Sequence, residues 1–428
     1  MLVQFRLRNF MSFRDEQVFS MVAANGLREK NDALNENVAE EGSFSLVKSA
    51  VVYGANASGK SNLLRAIAFF VSSLTETPPD GKAVGEYKPF LLDRQSADEP
   101  TLLEAVFVLG EKHYRYGFEV IDQMVQAEWL YIGGKKESTV FYRQGKELRI
   151  GRSYTKLKEL QSKEMINDAS LLVNLGALFN DESCLEAKHW ALKFRELSPK
   201  LPLAIKYIVE KQRYIFEPRN KSRVLHLLQV ADLGIDEIIF RKRVSPSPIP
   251  TYQNHHMDVF TIRRVWDESS KSFQKVTMPL QEFESEGTQK LFNLIGIVLT
   301  TLDEGGIFIA DELDAKLHPL LTQRIVQMFN SPATNPKNAQ IIFATHDTNL
   351  LSAGLFRRDQ IWFTEKDHKG TTQLYALTDY KPSGKTVRND EQLEKNYIAG
   401  KYGGIPFLGD FDALFETKSA VSEASVDE

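Results

Sequence analysis

The chain has 428 residues, 42% of them apolar and 26% charged, a length beyond what one hydrophobic core usually organises, so two or three structural units in a packed globular protein are expected. A formal charge of −4 gives no global pull toward nucleic acid and leaves only local basic clusters, at Arg241, Lys242 and Arg243 and at Arg263 and Arg264, to weigh against ordinary solvated faces. The one cysteine, Cys184, excludes an intramolecular disulfide framework and cysteine-rich metal or iron–sulfur sites; with no apolar run of membrane-spanning length, a cytoplasmic protein without a membrane partner is expected.

Alternating apolar and polar residues over 1–8 (LVQFRLR) predict a strand, and NFMSFRDEQVFSMVA reads as a turn followed by a second. Residues 25–45 are polar and irregular. SLVKSAVVYG then predicts a buried strand ending in a glycine-rich loop, and SNLLRAIAFFVSSL follows on a helical period. From 101 to 150 the runs LLEAVFVLG, HYRYGFEVI, AEWLYIGG and STVFYRQG predict an antiparallel meander.

Helical spacing dominates 155–235, broken by LSPKLP and FEPRNKS, and SPSPIP marks a loop. Residues 151–284 are therefore expected to form a mostly helical insertion serving assembly or a partner. Next, GTQKLFNLIGIVLTTL predicts a helix, GIFIADE a buried strand, HPLLTQRIVQMFN a helix and AQIIFATHD another buried strand, a βαβ unit within 285–395 that complements residues 1–150. In 396–428, NYIAGKYGGIPFLGDF is balanced between a loop packed on the core and a contact for a partner, and the last ~18 residues have the composition of a mobile tail.

The chemistry is concentrated in GANASGKS, residues 54–61, which fits G-x-x-x-x-G-K-[ST] at every fixed position between a predicted strand and a helix. Glycines at 54 and 59 let the backbone turn its N–H groups toward phosphate oxygens at a helix N-terminus. The candidate nucleotide contacts are Gly54, Asn56, Ser58, Gly59, Lys60, Ser61 and Asn62, with Lys60 reaching the β and γ phosphates of ATP and Ser61 ligating Mg2+. The strand GIFIADE delivers Asp311 as the second magnesium residue and Glu312 as the base that activates water. His346, at the end of the next strand, is placed to sense the γ phosphate. His255 and His256 beside Asp258 hint at a metal cluster, against which stands the lack of a third ligand at recognisable spacing.

A P-loop far upstream, an apolar strand ending in DE, AKLH directly after it and a histidine one βαβ step later resemble the ABC-type ATPase heads of SMC, RecF and OLD proteins. That resemblance implies an α/β P-loop NTPase of ABC/SMC-head type, with an antiparallel β-meander and a helical insertion. It also implies a signature loop, which ESEGTQKL occupies: Ser285 and Gly287 match Ser-Gly-Gly-Gln, whereas Glu286 and Thr288 depart. In such heads this loop binds the γ phosphate held by a second subunit, so a homo-oligomer, at least a head-to-head dimer, is implied. Ala315–His318 would be the loop through which two heads sense each other, with His318 a dimer-contact candidate, and Gln95 is a candidate for the glutamine loop.

RLRNFMSFRDEQVFS, VVYGANASGKSNLLRAI, DELDAKLHPLL, ATHDTNLL, RRDQIWFTEK and YGGIPFLGD together resemble the stand-alone ABC-type AAA ATPases of bacterial anti-phage operons, the AriA subunits of PARIS systems first, with Septu and OLD ATPases as relatives. The resemblance implies an ATP-dependent regulatory subunit that oligomerises, controls a separate toxic effector, for instance a nuclease, and responds to a phage-encoded trigger. The alternative is a RecF- or SMC-like ATPase that clamps DNA when its heads close on ATP. A transporter subunit shares the motifs but would need a membrane partner.

Overall fold

The computed structural model describes residues 1–27, 29, 31–76, 82–133, 136–197, 217–231, 234–242, 257–381 and 387–406. Within them the alternating segments of the first 150 residues build a seven-stranded antiparallel sheet. Its strands are β1 (Leu2–Arg8), β2 (Gln17–Ser20), β6 (Thr101–Leu109), β7 (Lys112–Ile121), β8 (Met124–Gly133), β9 (Glu137–Gln144) and β10 (Glu147–Ile150), in the order β10-β9-β8-β7-β6-β1-β2. One face buries Phe5, Leu7, Leu103, Phe107, Tyr116 and Phe118. The other carries ion pairs between strands, Arg6 with Glu104 at 3.0 Å and Arg8 with Glu119 at 2.9 Å, the division expected of a sheet wetted on one side.

Two short strands, β3 (Val38–Glu41) and β4 (Phe44–Val47), form a hairpin inside the stretch expected to be irregular, turning through Gly42 at φ +61°. The expected single strand over 45–54 is thus two, β4 and β5 (Ser49–Gly54), separated by the buried Lys48. Strands of four residues are too short for an alternation to register.

The second sheet comprises β5, β11 (Phe194–Leu197), β15 (Ile307–Ala310), β16 (Gln340–Ala344), β17 (Ile361–Lys366) and β18 (Thr372–Ala376), in the order β11-β15-β16-β5-β17-β18. All neighbours are parallel except β17 and β18. Every residue of β5, β15 and β16 is buried, as required of strands covered on both faces.

Alternate residues divide between two cores. Val52, Ile309, Ile342 and Trp362 face the antiparallel sheet, and the space between is filled by α1 (Lys60–Thr75), α2 (Thr155–Ser162), α3 (Leu172–Leu178) and α4 (Glu182–Ala191). Phe70 of α1 touches the rings of Phe5, Tyr116, Phe118 and Trp190; truncating it to alanine would cost ~3–5 kcal/mol. Cys184 lies in this core as a buried thiol, facing Gly176 where α3 and α4 meet. On the opposite face Val51, Tyr53, Phe308, Ile341, Phe343 and Phe363 pack on α6 (Glu286–Glu304) and α7 (Pro319–Asn330).

The described parts of residues 151–284 mix helices with strands and join more than one layer of the fold. The segment from α2 to α4 completes the core around α1, and β11 runs parallel to β15 at the edge of the central sheet. Further on, β12 (Glu237–Lys242), β13 (Met257–Asp267) and β14 (Ser272–Pro279) form a separate antiparallel sheet. Together with α5 (Pro218–Val230) it packs on α6 through Ile238, Val224, Leu228, Leu291, Phe292 and Ile295. Three of the basic residues are engaged locally: Arg263 pairs with Glu284, Arg264 with Asp236, and Arg241 stacks on Phe260. Arg243, SPSPIP, His255, His256 and the C-terminal tail lie outside the described residues.

The described part of NYIAGKYGGIPFLGDF packs back on the core. Within and just after α8 (Leu393–Ile398), Tyr397 and Tyr402 are buried against Phe363, and Gly404 approaches the Cα of Gly54. Among the described residues no helix is long and apolar enough to cross a membrane.

Candidate functional site

The buried strand β5 ends at Gly54, and α1 begins at Lys60, so the intervening loop stands at a helix N-terminus at the C-terminal edge of the parallel sheet. Gly54 adopts φ +155° and Gly59 φ +119°, and Ala57 between them is also left-handed at +61°. A Cβ on Gly54 would meet Ser58 Oγ and Thr364 Oγ1 at 2.5 Å, and one on Gly59 would strike Thr372. Both glycines are therefore required by backbone conformation and by close approach.

The loop is fixed from beneath by hydroxyls. Ser58 Oγ and Thr364 Oγ1 share a hydrogen bond of 2.6 Å, and Thr372 donates to the Ser58 carbonyl at 2.8 Å. Asn62 donates to Ser12 Oγ at 2.8 Å, and Ser12 Oγ in turn lies 2.8 Å from the Thr372 hydroxyl. The side chains of Ser58 and Asn62, expected at the nucleotide, are thus turned into the loop's support, while Asn56 is exposed at its crown. Lys60 is buried and donates to the carbonyls of Gly54 at 2.8 Å and Ala55 at 3.0 Å. Burial lowers its pKa, opposed by the negative charges of Asp311, Glu312 and Asp314.

Asp311 and Glu312 follow β15 directly. Asp311 N–H donates to the Leu197 carbonyl at 3.0 Å, and its Oδ1 is buried without a hydrogen-bond partner, a free carboxylate oxygen suited to a cation. Ser61 and Asp311 line one small cavity together with Arg65 and Glu196. Among the described residues no three His, Cys, Asp or Glu side chains gather as a metal site. The Ser61 hydroxyl and the Asp311 carboxylate are of the kind that could hold a magnesium ion together with phosphate oxygens. Glu312 is exposed and left-handed at φ +53°.

His346 follows β16, and its side chain is exposed. Its pKa is nevertheless lowered, first by the surrounding protein and then by Lys60, while Asp314, Glu312 and Asp311 pull the other way. Lys60, the consecutive Asp311 and Glu312, and His346, from three distant stretches of sequence, thus follow the C-terminal ends of the neighbouring strands β5, β15 and β16, and the charges of Lys60, Asp311 and Glu312 act on His346.

Ser285 caps α6, accepting from Thr288 N–H at 3.1 Å, with Gly287 in the first turn. This corner stands against the chain's own carboxylate turn: Glu286 pairs with Lys316 at 2.6 Å, and a Cβ on Gly287 would lie 2.9 Å from the Lys316 carbonyl. His318 caps α7, its Nδ1 accepting from Leu320 N–H at 3.3 Å. Gln95 occupies the segment held by Asn9, which donates to the Ser96 and Glu99 carbonyls.

Sequence reasoning missed Glu196. It reaches the Ser61–Asp311 cavity because β11 pairs with β15, and its pKa is raised by burial and by Asp311. Thr364, Thr372 and Lys290 were missed as well. The hydroxyl supports have no local signature, whereas Lys290 sits one helical turn after Glu286, a spacing that puts both on one side of α6.

Residues 49–352 match the family model described as "AAA domain, putative AbiEii toxin, Type IV TA system". No curated protein matches the chain. Among solved structures, the SMC head domain from Thermotoga maritima is 13% identical, the match covering 88% of this chain and 98% of that chain at a TM-score of 0.41. An SMC head bound to the C-terminal winged-helix domain of ScpA is also 13% identical, covering 88% and 97% at 0.42. A dimeric ATP-binding cassette in a post-hydrolysis state, bound to ADP and Pi, is 12% identical, covering 87% and 98% at 0.31.

Proposed function

We propose, from the premise that this chain belongs to the AAA domain family whose model spans residues 49–352, that it hydrolyses ATP to control a separate toxic effector in an anti-phage system. The observation carrying the ATPase reading is the placement of Lys60, Asp311, Glu312 and His346 after the neighbouring strands β5, β15 and β16, with the charges of the first three acting on His346. The regulatory part is supported by the motif resemblance to anti-phage ATPases and by the toxin–antitoxin wording of the family model.

Loop N–H groups and Lys60 bind the phosphate oxygens. Ser61 and Asp311 hold the metal, which neutralises phosphate charge when bound. Glu312 accepts the proton of the attacking water, and His346 donates to the terminal phosphate. Ser285 and Gly287 complete the site of a second copy, so the working form is at least a dimer.

Plaquing on cells carrying this gene with its genomic neighbour, against the gene alone and the pair with Lys60→Ala, tests the reading. Protection is expected only from the intact pair. Loss of the Lys60 ammonium removes charge-assisted contacts of about 1.5–3 kcal/mol, or ~10- to 100-fold in ATP affinity. Full protection by the Lys60→Ala pair would remove nucleotide from the signal. No protection from any combination, with ATP-dependent DNA binding instead, would favour the DNA-clamping alternative.

A further inference from the structure

We propose that Lys290 is a positioning residue for hydrolysis, an ammonium clamp that holds the backbone of the Glu312 turn and ties it to the N-terminal end of α6. This rests on the reading of Glu312 as the base.

Lys290 Nζ donates to three carbonyls of a single turn: Glu312 at 3.1 Å, Leu313 at 3.4 Å and Ala315 at 2.5 Å. An ammonium has three donors and no acceptor, so its capacity matches this set. The turn needs holding because Glu312 at φ +53° and Lys316 at φ +62° are left-handed without being glycine, a conformation kept only when the surroundings enforce it.

Two further contacts join the same surfaces. Glu286, one helical turn before Lys290, pairs with Lys316 across the turn, and Gly287 lets the Lys316 carbonyl approach where a side chain would collide. Glu286 departs from the signature pattern, and here it has a specific partner. The corner offered to a second copy's nucleotide and the turn aiming this chain's Glu312 are therefore one mechanical unit, so engagement of one bears on the other.

The clamp acts on aim rather than on binding. The direction in which Glu312 projects is set by its backbone, and a displacement of about 1 Å at a reacting group can cost ~100-fold in rate. The P-loop has its own supports in Thr364 and Thr372. Lys290→Ala and Lys290→Met are therefore expected to lower kcat about tenfold or more, with ATP affinity changed by no more than ~threefold. Lys290→Arg is expected to restore part of the loss. In a Glu312→Gln background, removal of Lys290 should cost little more, since both changes act through one carboxylate.

A second readout needs no nucleotide: hydrogen exchange at the amides of 313–317 should quicken in Lys290→Met while those of 55–60 keep their rates. Wild-type kcat in Lys290→Met, equal proportional losses of kcat and affinity, or unchanged exchange over 313–317 would overturn the proposal. Should Lys290→Ala fail to fold, Lys290→Met, which keeps the apolar stem, carries the same measurements. Wild-type protein no faster than Glu312→Gln would instead overturn the ATPase reading, and the exchange comparison would still decide whether the clamp exists.

Discussion

The P-loop and the carboxylate turn stand two strands apart on the same sheet edge, with β16 between β5 and β15, yet they are held by opposite means. Neutral hydroxyls fix the P-loop from beneath: Ser58, Thr364, Thr372 and Ser12 form a chain of buried short hydrogen bonds reaching from β17 and β18 to the turn after β1. The carboxylate turn hangs on charges, namely the Lys290 ammonium and the Glu286–Lys316 pair, whose side chains are 77% and 60% exposed. Buried neutral networks rigidify a site, whereas exposed ion pairs contribute little and are easily exchanged. A cradle whose N–H groups must be preformed has the first kind of support, and a turn that answers to another surface has the second.

The largest test of this contrast is Glu312→Gln. If the turn exists to aim a base, turnover should fall ~10²- to 10⁴-fold with ATP binding retained. Phosphate release at saturating ATP, set beside equilibrium binding of ATP, reads both quantities. Unchanged turnover would leave the strained turn without a catalytic purpose and dissolve the comparison.

Gly59→Ala probes the other side. The new methyl would strike Thr372 in a backbone region that L side chains avoid, which should cost about 1–3 kcal/mol of stability and weaken ATP binding. Set beside Thr372→Ala alone, the pair with Thr372→Ala, which removes both the hydroxyl oxygen and the methyl that the new Cβ would meet at 2.4 and 2.6 Å, should show a smaller cost of Gly59→Ala in a denaturant melt. An undiminished cost would mean that backbone conformation, rather than the threonine contact, sets it.

The two regions were also legible to different degrees. The P-loop is encoded by spacing, because glycines at 54 and 59 followed by Lys60 and Ser61 are what backbone geometry and phosphate charge require. Asp311 and Glu312 were legible because a fully apolar strand must stop somewhere, and these carboxylates mark the place. The supports were not. Thr364 and Thr372 are ordinary strand residues until tertiary pairing sets them under the loop, and the spacing of Lys290 from Glu286 marks a shared helix side without naming the backbone carbonyls it binds. The four residues of β11 gave no alternation to read, so Glu196 stayed hidden in a segment of helical spacing.

His346 offers the smallest effect and the most direct measure of whether the two regions act as one site. Its imidazolium form is disfavoured by the surrounding protein and by the Lys60 charge, so the folded-state pKa lies below the ordinary 6.5. Between that lowered value and 6.5 the unfolded chain binds a proton that the native state does not. Stability therefore rises with pH across this window, and the contribution is flat above it. An NMR titration of the imidazole should show the depressed midpoint directly. Replacing Lys60 with methionine removes a positive neighbour and should move that midpoint upward, while Glu312→Gln removes a negative one and should move it down. Shifts of opposite sign would show that the P-loop lysine and the carboxylate turn act electrostatically on the same imidazole, although their supports never meet. A midpoint indifferent to both would mean that partial desolvation by the surrounding protein alone sets His346, and that the two halves of the site communicate only through the nucleotide they hold.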